Sequence, residues 1–159
     1  MDSRFMIATP KSLMGKTFLL LGGIGSLLIA LLHVAIPIIG TEAYLACGGW
    51  WLLPLLEQGS PVPALLCLGI AAVFFLWTAY ALSGASVIVR LPLIRTGLML
   101  IAVIYLLRGA DIIPMLLFGS EGSEIGWVSW FASVLSLLLG ACHASGIAGM
   151  WKQWKTPSP

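Results

Sequence analysis

Four long apolar segments, residues 17–40, 63–84, 96–118 and 127–150, dominate the chain and limit what it can fold into. An α-helix rises 1.5 Å per residue, so about 20 residues cross the hydrocarbon core of a bilayer, and each segment is long enough. Inside lipid only helices and closed barrels satisfy every backbone N–H and C=O. None of the four segments shows the period-two alternation of a barrel strand. The expected fold class is therefore all-α, a bundle of four transmembrane helices in a single integral membrane domain over residues 1–159. Composition agrees: 9% of the residues are charged and 60% hydrophobic, against about a quarter charged in a soluble domain. There is no basic run with interleaved aromatics, so nucleic acid is not an expected partner.

The charges sort to two sides. Arg4, Lys11 and Lys16 precede the first segment, Arg90 and Arg95 lie between the second and third, and Lys152 and Lys155 follow the fourth. Glu42 and Glu57 fall between the first and second, and Glu121 and Glu124 between the third and fourth. Of the eight Lys and Arg residues only Arg108 is out of place. Basic residues near span ends mark the cytoplasmic side, which predicts a multi-pass protein with both termini in the cytoplasm.

The connections differ in kind. SGASVIVRLPLIR is a basic inner link and GSEGSEIG a small polar outer turn. TEAYLACGGWWLLPLLEQGSPVP is too apolar for a solvated loop. It predicts a short amphipathic or re-entrant helix at the outer leaflet, with Trp50 and Trp51 at headgroup depth, or else a lid over the bundle. The ends MDSRFMIATPKS and KQWKTPSP read as loose tails. Cys47, Cys67 and Cys142 have no metal-ligand spacing, and no disulfide pairing follows from the sequence.

Helices associate in lipid through small residues and polar contacts. Ser129, Ser133, Ser136, Gly140 and His143 fall within about 80° of arc on the fourth segment, and Gly22, Ser26, His33 and Pro37 share a face of the first. These stripes predict inward-facing packing surfaces, and packing alone accounts for them.

The stretch IYLLRGADIIP, residues 104–114, carries the charges that need explaining. A charge within a bilayer is costly and faces the bundle interior or a water-filled cavity. Arg108 and Asp111 stand three apart on a helix and can neutralise each other, with Tyr105 one turn before them. Counting outward from Arg95 and Lys16, Arg108 lies about 17–20 Å, Asp111 about 21–24 Å and His33 about 24–26 Å from the inner surface. All three share the outer half of the membrane, below the first outer loop with Tyr44 and Glu57. This predicts a polar pocket roofed by that loop; a purely structural polar core is the alternative. His143 lies about two turns from the inner end of its helix. A depth difference of roughly 10–14 Å separates it from His33, which disfavours a haem held by both. No metal site or cofactor is expected, and no GxGxxG, P-loop, GxSxG or HExxH motif is present.

The stretches YALSGASVIVRLPLIR, IYLLRG and LLHVAIPIIG resemble the small four-helix inner-membrane proteins of bacteria. That resemblance implies an inner-membrane location and supplies no activity. The residues favour a non-enzymatic accessory or binding protein whose partners are membrane lipids. It would hold a lipid, a quinone-like or other amphiphilic molecule, or a helix of another membrane protein. In that reading Arg108 meets the headgroup, His33 and Tyr105 donate or accept hydrogen bonds, and Asp111 is counter-ion to the arginine. Two rival readings are a homo-oligomeric proton-coupled transporter titrating at Asp111 or His33, and an outer-leaflet enzyme with His33 as base.

Overall fold

The computed structural model describes residues 10–118 and 126–155. The chain is all-α: α1 (Pro10–Ile39), α2 (Thr41–Ala46), a 3₁₀ turn (Trp50–Leu52), α3 (Leu53–Glu57), α4 (Val62–Gly84), α5 (Ile94–Gly109), α6 (Ile112–Phe118), α7 (Gly126–Met150) and a final 3₁₀ turn (Gln153–Lys155). Four stretches are long and apolar enough to span a membrane, Pro10–Ile39, Val62–Gly84, Ile94–Leu117 and Gly126–Met150. Residues 119–125, where GSEGSEIG was expected to form a small polar turn with Glu121 and Glu124, lie outside the described residues, as do the first nine and last four positions.

The bundle is organised around α1, which packs along both α4 and α7, while α5 packs on α7. The α4–α5 side is the loosest seam. Large apolar side chains face outward, among them Leu28, Leu65, Leu76, Leu107 and Leu138. The interior is built from small and polar ones: Gly15, Gly22, Ser26 and Ala30 on α1, and Ser133, Ser136, Gly140, His143 and Gly146 on α7. That inversion is what lipid selects, since apolar tails solvate leucine as well as a protein core does and leave close backbone approach as the adhesive. At Gly15 an added Cβ would stand 2.8 Å from the Cα of Gly149, and at Gly149 one would stand 2.6 Å from the Cα of Gly15. The helices touch there backbone to backbone.

The third span is not one helix. Proline has no N–H and its ring clashes with the carbonyl four residues back. Pro114 therefore interrupts the ladder at Ala110, and α5 ends at Gly109 before α6 resumes at Ile112. Arg108 sits in the last turn of α5, where a cation suits the helix dipole.

The first outer loop carries short helical structure, as its apolar sequence predicts, divided into three pieces: α2, the 3₁₀ turn and α3. Gly40, at φ 96° and ψ −157°, turns the chain out of α1 with a backbone that only glycine adopts readily. Gly48 (φ 82°) then separates α2 from the 3₁₀ turn. The pieces fold back onto the ends of α1 and α4. Tyr44 and Leu52 are buried with Ile36 and Cys67, while Trp50 and Trp51 remain exposed. All three cysteines are free thiols.

At the opposite end the residues that follow α7 are docked as far as Trp154, which corrects the reading of that part of KQWKTPSP as a loose tail. Trp154 is buried, its indole N–H donates to the Gly84 carbonyl (3.2 Å), and its own carbonyl accepts from Arg90 (2.5 Å). Arg95 lies over the Trp151 ring at 4.9 Å. The Ser83 hydroxyl accepts from the Leu91 N–H (2.8 Å), pinning the α4–α5 link.

Candidate functional site

All four long helices meet around a cleft of about 460 Å³. Its wall is mostly apolar: Ile29, Leu32 and Ile36 from α1, Phe74 and Trp77 from α4, Ile104 from α5, and Val128, Phe131, Ala132 and Leu135 from α7, with Cys47 reaching in from the outer loop. The polar groups on it are His33, Tyr105, Arg108 and Ser136.

Tyr105 is the hinge of the arrangement. It is 3% exposed, and its hydroxyl shares a 2.8 Å hydrogen bond with Ser26 Oγ, which also donates to the Gly22 carbonyl (3.0 Å). Its ring sits among aromatics, 5.0 Å from Trp77 edge-on, 6.2 Å from Phe74 and 5.5 Å from His143 in a stack. His33 continues the row, stacked 5.8 Å from Phe74. Both histidines bond through Nδ1 to the carbonyl four residues back, His33 to Ile29 and His143 to Leu139, each at 2.8 Å. A carbonyl only accepts, so Nδ1 carries the proton, and in the neutral ring Nε2 presents a lone pair. The His143 Nε2 is buried without a partner among the described residues.

Arg108 donates to Asp111 Oδ2 at 2.6 Å, the ion pair that the spacing predicts. The pair does not face the bundle interior, however: the two side chains are 48% and 59% exposed. The break at Ala110 turns Asp111 outward, and the pair bridges the two helix pieces. A second cavity of about 370 Å³ adjoins the cleft through Arg108. Arg108, Asp111, Pro114, Met115, Gly126, Ser129 and Ser133 line it. Ser133 Oγ, on a residue of zero exposure, is buried without a partner among the described residues.

Of the residues singled out from the sequence, His33, Tyr105 and Arg108 come together on one cleft, with Asp111 beside Arg108. Tyr44 and Glu57 do not join them. Tyr44 is enclosed between the ends of α1 and α4, and Glu57 is exposed on α3. The packing residues Gly22, Ser26, Ser133, Ser136, Gly140 and His143 are all buried. His143 meets Tyr105, whose ring it stacks on. Helical side chains lean toward their own N-terminus, so Tyr105 leans inward and meets the His143 ring. The aromatic wall of Phe74 and Trp77 escaped the sequence reading. Their spacing of three on α4 puts them on one face, but nothing in the sequence distinguishes an inward aromatic from one facing lipid. Among the described residues no group of three or more His, Cys, Asp or Glu is placed to hold a metal.

Four apolar spans packed through small residues, with bulky side chains turned outward, define a multi-pass α-helical membrane protein. No family model matches the chain, and no curated protein or solved structure is significantly similar to it.

Proposed function

We propose that the chain is a non-enzymatic binding protein of the bacterial inner membrane that holds an amphiphilic molecule in the four-helix cleft. The observation that carries this is the cleft itself: apolar side chains from every long helix, with one guanidinium at the rim. An acyl or isoprenoid chain fits such a wall, and the rim arginine suits an oxygen-bearing headgroup. The loose α4–α5 seam supplies a lateral way in from lipid. The resemblance to small bacterial inner-membrane proteins agrees with this location. The basic residues Lys11, Lys16, Arg90, Arg95 and Lys152 belong to the end where α1 starts, α4 meets α5 and α7 finishes, which supports a cytoplasmic placement of that end.

Native mass spectrometry on gently solubilised protein tests the reading. The wild type is expected to carry a discrete bound mass, and Ala132→Trp, which fills the cleft wall, to lose it while keeping its helical circular dichroism. A bare wild-type mass, or a bound mass indifferent to Ala132→Trp, overturns it.

A further inference from the structure

The two cavities that share Arg108 differ in character and in depth. The cleft is walled by hydrocarbon and runs along α7 from Val128 to Ser136. The smaller cavity is lined by an ion pair and two serines, and on α7 it spans Gly126, Ser129 and Ser133. On the third span the cleft takes Ile104, Tyr105 and Arg108, and the smaller cavity takes Arg108, Asp111, Pro114 and Met115. Along the third span and α7 the polar cavity is centred nearer the α6 end, and the two overlap over residues 128–133, with the cleft also reaching Cys47 of the first loop. A polar compartment beside an apolar one, sharing Arg108, is the pairing that a lipid's headgroup and chains require.

The charges in the polar compartment narrow the headgroup. Arg108 and Asp111 are together neutral and both half exposed. One guanidinium N–H is spent on Asp111 Oδ2, and among the described residues the other guanidinium donors and the second carboxylate oxygen bind nothing else. An anionic headgroup, set on a pair that is already neutral, would lie beside the Asp111 carboxylate with only the remaining guanidinium donors to meet it. A quaternary ammonium has no N–H to give a carboxylate. A phosphate joined through two methylenes to a primary ammonium answers both members of the pair, phosphate to Arg108 and ammonium to Asp111. The unpartnered Ser133 hydroxyl, with Ser129 beside it, then has a phosphate oxygen to donate to. We infer that the site formed by Arg108, Asp111, Ser129 and Ser133 recognises a phosphoethanolamine-headed lipid whose chain occupies the adjoining cleft. This rests on the binding reading proposed above.

The test offers delipidated protein an equimolar mixture of palmitoyl-oleoyl lipids with phosphoethanolamine, phosphocholine and phosphoglycerol heads, read by native mass spectrometry. The wild type is expected to retain the phosphoethanolamine lipid about tenfold over the other two, the ratio one charge-assisted hydrogen bond supplies. Asp111→Asn removes the ammonium's partner and leaves Arg108 unneutralised. In that variant the phosphoethanolamine lipid is expected to fall to the phosphocholine level and the phosphoglycerol lipid to rise above both. A merely structural ion pair weakens all three alike. Equal retention of the three lipids by the wild type, or an unchanged order in Asp111→Asn, overturns the headgroup assignment. If Ala132→Trp still abolishes retention in that case, the cleft reading survives. No lipid retained by the wild type overturns both.

Discussion

At the scale of single residues the bundle depends on atoms that are absent. Gly15 and Gly149 meet backbone to backbone, so a methyl group at Gly15 would stand 2.8 and 2.9 Å from main-chain atoms of α7. Neither helix can yield without the whole contact opening. Gly15→Ala is expected to lower stability by roughly 1–3 kcal/mol, as overpacking does, seen as a lower thermal midpoint in detergent. Gly69, with nothing within 4 Å of an added Cβ, is the control: Gly69→Ala is expected to leave the midpoint unchanged or raise it. The Ser26–Tyr105 hydrogen bond should be asymmetric. Tyr105→Phe leaves Ser26 Oγ its bond to the Gly22 carbonyl, while Ser26→Ala strands a buried phenol hydroxyl. The expected losses are about 0.5–1.5 kcal/mol for the first and about 1–3 kcal/mol for the second. Equal losses from the same denaturation series would mean that the hydroxyl finds another partner.

At the scale of elements, the sequence was most legible where backbone chemistry acts locally and least where a long-range contact decides. The four spans follow from length and apolarity. The break in the third follows from Pro114, whose effect on Ala110 needs no tertiary information. The outer loop was legible only as an apolar segment that must touch something. Its division at Gly48 and its burial of Tyr44 depend on where the ends of α1 and α4 stand. The start of the C-terminal segment was misread because the polarity of Lys152 and Gln153 hides the anchoring of Trp154, which is buried. That side chain bonds Gly84 and its carbonyl holds Arg90, so the final turn fastens the α4–α5 link to the end of α7. Trp154→Ala is expected to lose about 3–5 kcal/mol, as for other buried aromatics, and to raise proteolytic nicking of the inner link. Trp51→Ala, at a position 58% exposed, is expected to do neither. If the two variants melt together, the docked turn contributes nothing to the fold.

For the whole molecule, the bundle places the start of α1 beside the end of α7, through Gly15 and Gly149, and the α4–α5 link against the same end, through Trp154. The outer loop closes the far end over α1 and α4. Which end faces the cytoplasm is a matter of charge, and the thiols provide the test. Cys47 is exposed on the loop and Cys67 is buried, so in a Cys142→Ser background Cys47 is the thiol open to a membrane-impermeant maleimide. On intact cells with a permeable outer layer, Cys47 is expected to label from outside. Val89→Cys, on the inner link at a position 82% exposed and with Cys47 replaced by serine, is expected to label only after the membrane is opened. Burial, and then the neighbouring Cys67, push the Cys47 thiol above its ordinary value of 9.0. The thiolate is the reacting form, and a raised value makes it scarcer at neutral pH. Labelling should therefore climb about tenfold per pH unit from 7 to 9 without levelling off. A plateau below pH 9 would mean that the outer loop stands away from the bundle. Reversed sidedness would put the basic end outside and place Arg108 and the cleft in the inner half of the membrane, so this measurement also decides which leaflet's lipids the site can meet.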